Sequence, residues 1–264
     1  MANGNYNDPL IWSTDGGVTS CLCLPPAPFN TNDTMVINHN ITMTQHLGFG
    51  GPNTTLIVNA SGSLYGPTFN ISAWFWCDLY LYGPCTFQRI NCGSVSGSWA
   101  NINIYSVVEV TAQVRVNAGT LTIDGGYLYL TSGNFNVYPP GNLITSNCAK
   151  LELFGGNITN EGYIYICQCC CLTTTGNWSN EITGIVEGNG SATTTGGNMS
   201  NYNIFSIDIT WCSAGFDIGM PGVEDCTTSN ATCGLIMLPV DLIGFKVTNI
   251  NNQNLISWVT VSEE

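Results

Sequence analysis

Short runs of alternating apolar and polar residues recur along the chain, each closed by Gly, Asn, Ser or Pro. Thr34-Met-Val-Ile-Asn38, Thr55-Leu-Ile-Val-Asn59, Asn101-Ile-Asn-Ile-Tyr105, Thr120-Leu-Thr-Ile-Asp124, Tyr127-Leu-Tyr-Leu-Thr131, Lys150-Leu-Glu-Leu-Phe154 and Tyr163-Ile-Tyr-Ile-Cys167 are runs of this kind. A period of two is what an extended strand needs to bury one side and expose the other. No long stretch places apolar residues at i, i+3, i+4 and i+7, and the strong helix formers Lys, Glu and Arg are scarce. The pattern therefore predicts an all-β protein.

The runs are short and so are the turns between them. From Ala118 to Tyr138, three strands and three glycine-containing corners fit into about twenty residues, the size of one rung of a three-faced β-solenoid. The passage from Gly141 to Cys167 has the same form. A right-handed parallel β-helix is the predicted fold, with Leu121, Ile123, Leu128, Leu130, Phe135 and Val137 pointing inward and Thr, Tyr and Asn outward. The alternative is an antiparallel β-sandwich, for which Asp124-Gly125 and Asn189-Gly190 would serve as two-residue hairpin corners.

Three regions break the pattern: Trp74 to Trp99, residues 167 to 180, and residues 211 to 234. They are expected to be disulfide-tied insertions or corner loops outside the rungs. Pro239 introduces a tail of two alternating strands, so the expected division is a solenoid over 1–238 and a β tail over 239–264. Two strands cannot bury a core alone. Leu242, Phe245, Leu255, Trp258 and Val261 are the candidate subunit-pairing residues of that tail.

Charge removes several functions. Only 8% of the 264 residues are charged, with Lys+Arg 4 against Asp+Glu 17 and a net charge of -13. Arg89, Arg115, Lys150 and Lys246 make no basic patch, so nucleic acid and anionic membrane surfaces are not expected partners. No run of about 18 apolar residues is present, so no membrane span is expected. The opening Met1-Ala-Asn-Gly lacks a basic and an apolar leader segment, and the secreted form is expected to be a mature one.

Thirteen cysteines point to an oxidising compartment. Cys21, Cys23, Cys77, Cys85, Cys92, Cys148, Cys167, Cys169, Cys170, Cys171, Cys212, Cys226 and Cys233 are all disulfide candidates, and the odd count leaves at least one unmatched. Adjacent rungs are expected to bring Cys148 near Cys167. The Cys167-Gln-Cys-Cys-Cys171 cluster lacks the spacing of a zinc knuckle or ribbon, so no metal is expected there. His39 and His46, seven residues apart, fall on opposite faces of an extended strand. Glu224 and Asp225 are candidate ligands for a structural Ca²⁺; no other cofactor and no catalytic residue is assigned. Asp208 and Asp217 are read as isolated carboxylates, since no spacing selects a pair for glycoside hydrolysis. Trp74, Trp76, Tyr80, Tyr82 and Trp99 are the candidate ligand-binding residues, forming one aromatic patch able to stack on sugar rings or a partner protein. Ten Asn-X-Ser/Thr sequons, at Asn32, Asn40, Asn53, Asn59, Asn70, Asn157, Asn177, Asn189, Asn198 and Asn230, are read as a product of Asn/Thr-rich composition.

Two stretches carry a resemblance. Asn3-Gly-Asn-Tyr-Asn-Asp-Pro-Leu-Ile-Trp12 followed by Asn32-Asp-Thr-Met-Val-Ile-Asn-His-Asn-Ile-Thr42 resembles the first rungs of large secreted surface β-helix proteins of Bacteroidetes. Tyr6 stands where those proteins more often have Trp. Leu238-Pro-Val-Asp-Leu-Ile-Gly-Phe245 and Leu255-Ile-Ser-Trp-Val-Thr-Val-Ser-Glu-Glu264 are similar to the start of an Ig-like module near the end of such proteins. The resemblance implies a type IX secretion cargo at the cell surface. Together these readings give an extracellular, non-enzymatic structural protein that assembles with itself or with other surface proteins and glycans. The alternative is a monomeric adhesin or carbohydrate-binding module, with a polysaccharide lyase or glycoside hydrolase last.

Overall fold

The computed structural model describes residues 3–14, 20–22, 32, 34–94, 99–222, 224–226, 242–250 and 253–260. The chain divides into two compact units, Met1–Gly234 and Leu235–Glu264.

The first unit is a parallel β-solenoid of about nine turns, without α-helix among the described residues. Each turn gives one strand to a first face, then strands to a second and a third. The first face is a nine-stranded parallel sheet running from Thr34–Ile37 to Ile204–Phe205. The second and third faces form one continuous 16-stranded sheet, because Ser63–Ala73, Cys85–Cys92 and Val107–Val116 each run across the bend between them. The register slips at that bend, between Gly66 and Asn70 and between Val110 and Gln113. Thr54 pairs with Cys77, 23 positions on, and Ala100 with Gly119, 19 on, so the turn length varies and the repeat is degenerate in sequence.

Alternation and parallel register together build the core. On the first face Leu56, Leu79, Ile102, Leu121, Leu143, Ile164 and Val186 stack in one inward column, all fully buried. On the third face Ile71, Ile90, Val114, Phe135, Ile158, Trp178 and Met199 do the same. All six residues expected to point inward between Leu121 and Val137 are fully buried. The sandwich alternative fails at its own corner: Asp124-Gly125 joins strands on different faces, and every described pairing in this unit is parallel. Gly133, at the next corner, has φ +76, and a Cβ there would fall 1.4 Å from the Ala112 carbonyl oxygen, so only glycine fits.

The first two cysteine-rich regions are not insertions. Cys77–Leu81 is a regular strand of the first face, and Cys85–Cys92 crosses the second and third. Cys171–Thr174 and Trp178–Asn180 likewise lie within rungs. The corner-loop expectation holds for Cys167, Cys169 and Cys170.

The chain start closes the first turn. Gly4–Asn5 pairs with Ile41 and Thr42, and a short 3-10 turn, Pro9–Ile11, follows with Asp8 accepting from the Leu10 N–H at 2.9 Å. Trp12 packs edge-on to Tyr6 at 5.5 Å and donates its indole N–H to the Tyr6 carbonyl at 2.9 Å. Tyr6 and Ile11 thereby join the core. At the other end, Trp211 donates its indole N–H to the Pro221 carbonyl, and the Cys212–Cys226 disulfide ties the returning loop to the rung.

The second unit contains an antiparallel pair, Leu242–Ile250 with Gln253–Thr260, in which Phe245 lies opposite Trp258 and Val247 opposite Ile256. Val261 lies outside the described residues.

Candidate functional site

In each turn the chain passes from the third face to the first through one corner. There Asn32, Asn53 and Trp76 stack in successive turns, all with positive φ (65, 61 and 47°). Asn32 N–H donates to Pro52, Asn53 N–H to the Trp76 carbonyl, and Trp76 N–H to the Trp99 carbonyl at 2.6 Å. Asparagine adopts this conformation readily, whereas a bulky side chain does so at a cost of about 1–3 kcal/mol. Trp76 is nonetheless 66% exposed, beside Trp74, Phe75 and Trp99 at 42–43%. The Trp74 ring lies over Gly48, where an added Cβ would come within 3.2 Å of it.

Tyr80 and Tyr82 do not join this group. They sit at the far end of the strand Cys77–Leu81, where Tyr82 stacks on Tyr105 (4.5 Å between centroids, 14° between planes) and lies parallel to Tyr80 at 6.4 Å. Burial, then the neighbouring Asp78 carboxylate, raises the Tyr80 hydroxyl above its ordinary value. The expected single patch is thus a tryptophan corner and a separate tyrosine stack. Tyr105 escaped the sequence reading, although it follows Tyr82 by one turn, as Trp99 follows Trp76.

The cysteines divide by position. Cys148 bonds Cys169 across successive turns, not Cys167; Cys167 bonds Cys170 within one corner. Cys21 and Cys171 are also disulfide-bonded, and Cys23 and Cys233 lie outside the described residues. Cys77, Cys85 and Cys92 are free, contrary to expectation. They hold inward column positions whose register neighbours are Thr54 and Ala100, Leu64 and Val108, and Ala73 and Val116. None has a cysteine above or below it, so each fills the core as a small apolar group. Their thiols face the carbonyls of Phe49, Gly83 and Ala100 at 3.4–3.5 Å.

Comparison with family models, with characterised proteins and with solved structures finds no match. The chemistry has to come from the side chains themselves. Cys212, Glu224 and Cys226 converge, but the two sulfurs are bonded to each other. Glu224 Oε1 accepts from the Ser213 N–H at 2.8 Å, so this group braces the terminal loop. His46 Nδ1 accepts from the Asn70 N–H at 2.9 Å, and its ring meets Phe69 edge-on. No helix is long and apolar enough to cross a membrane.

The sequence placed Asn outward but singled out none of the residues as members of the two asparagine ladders that the structure contains. Asn160 Nδ2 donates to Asn180 Oδ1, and Asn180 Nδ2 to Asn201 Oδ1, both at 2.7 Å. At the neighbouring corner the side-chain oxygens of Asn134, Asn157, Asn177 and Asn198 each accept a backbone N–H from the next turn at 2.8–2.9 Å. The signal was spacing: 20 and 21 residues in the first ladder, and 23, 20 and 21 in the second.

Proposed function

We propose that the chain is a non-enzymatic structural protein of an extracellular surface, joined to further subunits by strand addition at its hairpin. The observation that carries this is the pairing of Leu242–Ile250 and Gln253–Thr260 with each other alone among the described residues. Two strands are marginal in water, and each leaves a row of backbone donors and acceptors on its outer edge, a template for another strand. The disulfides favour an oxidising compartment. The resemblance of the two chain ends to Bacteroidetes surface proteins supports the same location.

Electron microscopy of the unreduced chain tests the assembly. N–H directions alternate along a strand, so proline at Ile256 or at Ser257 removes a donor from the open edge, and the other removes one from the hairpin. Ordered polymers that one of these two variants disperses are the expected result. Single particles at high concentration would sink the reading.

A second reading is a monomeric adhesin or glycan-binding module. It is favoured by the tryptophan corner, where a strained and exposed Trp76 follows two asparagines in its column. Binding on a glycan array that is lost in Trp76→Asn would support it.

A further inference from the structure

The third face differs from the rest of this acidic molecule. Its outward positions run from Asn70 and Ser72 through Arg89, Asn91, Gln113 and Arg115 to Asn136 and Thr159, and none among the described residues is Asp or Glu. Two of the chain's four cations sit here. Arg89 pairs in register with Gln113, and Arg115 with Asn91, so the two arginines are diagonal neighbours on adjacent strands. Ile90, Cys92, Val114 and Val116 between them are fully buried, which leaves Arg89 and Arg115 to point outward. Both are exposed, and neither guanidinium has an ion-pair or hydrogen-bond partner among the described residues. By contrast Lys150, on the second face, is engaged by Glu152 at 2.9 Å and lies over the Tyr127 ring.

Unpaired guanidinium groups are unexpected where carboxylates outnumber cations so heavily. A guanidinium presents a planar fork of donors that matches a carboxylate or a sulfate. Beside Arg115 the surface is hollowed into a cavity of about 320 Å³ lined also by Asn117, Tyr138 and Pro139. An amide group and an aromatic ring of this kind suit the hydroxyls and the apolar face of a sugar. The protein's net negative charge does not forbid an anion here, since fields from carboxylates on other faces are screened over about 8 Å at physiological salt.

We propose that this face binds an acidic polysaccharide, with Arg89 and Arg115 holding anionic groups of neighbouring residues and Tyr138 supporting a ring. None of these residues belongs to the hairpin, and none is one of the corner tryptophans. Affinity electrophoresis of the full, unreduced chain through polygalacturonate, dextran sulfate and plain dextran tests it. Retardation by an acidic polymer, weakened by added salt, and none by dextran is expected. The acidic polymer that retards it separates a carboxylate ligand from a sulfate ligand. The Arg89→Gln/Arg115→Gln double variant should raise the apparent Kd about tenfold, the scale of two exposed ion pairs. Both side chains are exposed, and an unchanged unfolding midpoint confirms that the variant is folded; Arg115→Gln alone serves if it is not. Passage through both acidic gels without retardation, or equal retardation of the folded variant and the native chain, overturns the proposal.

Discussion

Asn160 donates an Nδ2–H to the Oδ1 of Asn180, one turn further along, at 2.7 Å inside the solenoid. Both residues are fully buried and occupy the column that Phe49, Ala73, Cys92, Val116 and Val137 fill in earlier turns. Asn180 also donates to the Ile204 carbonyl at 2.9 Å, and Asn160 to the Ile185 carbonyl at 3.0 Å. The polar column therefore closes the inward corner by satisfying the backbone of the following turn, which an apolar side chain cannot do.

Asn180→Leu should be among the most damaging single changes in the chain. It removes the acceptor of one Asn160 N–H and the side-chain donor to the Ile204 carbonyl, and it presses a branched side chain against the close corner at Gly184, whose Cβ position lies 2.3 Å from Asn180 Oδ1. A loss of about 3 kcal/mol is expected in urea unfolding. Asn177→Ala, in the exposed ladder, should cost only about 1 kcal/mol, because water replaces its bond to the Asn198 N–H. Equal effects of the two would contradict the division between the ladders.

The inward residues from Leu121 to Val137 were legible because period-two alternation needs only local order. The register between turns was not, and with it went everything that depends on stacking. Cys85 reads like any linking cysteine until Leu64 and Val108 are placed on either side of it. Nothing local marks Asn160, Asn180 and Asn201, since only their spacing of 20 and 21 residues sets them in one column. Arg89 and Arg115 read as scattered cations, since 26 positions separate residues that adjacent strands bring together.

The three thiols that are free among the described residues give a pH dependence. Burial pushes Cys77 up to about 11 and Cys85 up to about 12, and raises Cys92 as well. An unfolded thiol ionises near ~8.5. A raised acid keeps its proton in the native state while the unfolded chain loses it. Its contribution is therefore whole below ~8.5 and is lost as pH climbs toward the native values, at up to about 1.4 kcal/mol per pH unit per thiol. Denaturant unfolding from about pH 8 to 10 should show that decline. The Cys77→Ala/Cys85→Ala/Cys92→Ala variant should show a shallower one; the same slope in both would rule the thiols out as its cause. A thiol reagent should likewise find these cysteines only after unfolding.

The Cys148–Cys169 bond closes a loop of 21 residues between successive turns. Its removal by Cys148→Ser/Cys169→Ser should cost about 3 kcal/mol through the entropy of the unfolded chain. Cys167–Cys170 spans three residues and restrains little, so Cys167→Ser/Cys170→Ser should cost clearly less. Urea midpoints of the two double variants, each measured without reductant, decide the order. The reverse order would mean that the corner at 167–170, not the tie between turns, holds this part of the solenoid.

Trp76→Asn separates stability from recognition at the tryptophan corner. The two preceding turns place asparagine in this column with φ near +60°, and Trp76 holds φ +47° with a bulky side chain. Replacement should relieve backbone strain and stabilise the fold by about 1 kcal/mol, while removing little packing, since the ring is two-thirds exposed. A residue whose removal stabilises the protein is held there for something other than folding. A higher unfolding midpoint in Trp76→Asn together with lost glycan or partner binding would mark the corner as a recognition site. A lower midpoint would mean that the ring contributes through packing against Trp74 or Trp99, and the corner would then be structural.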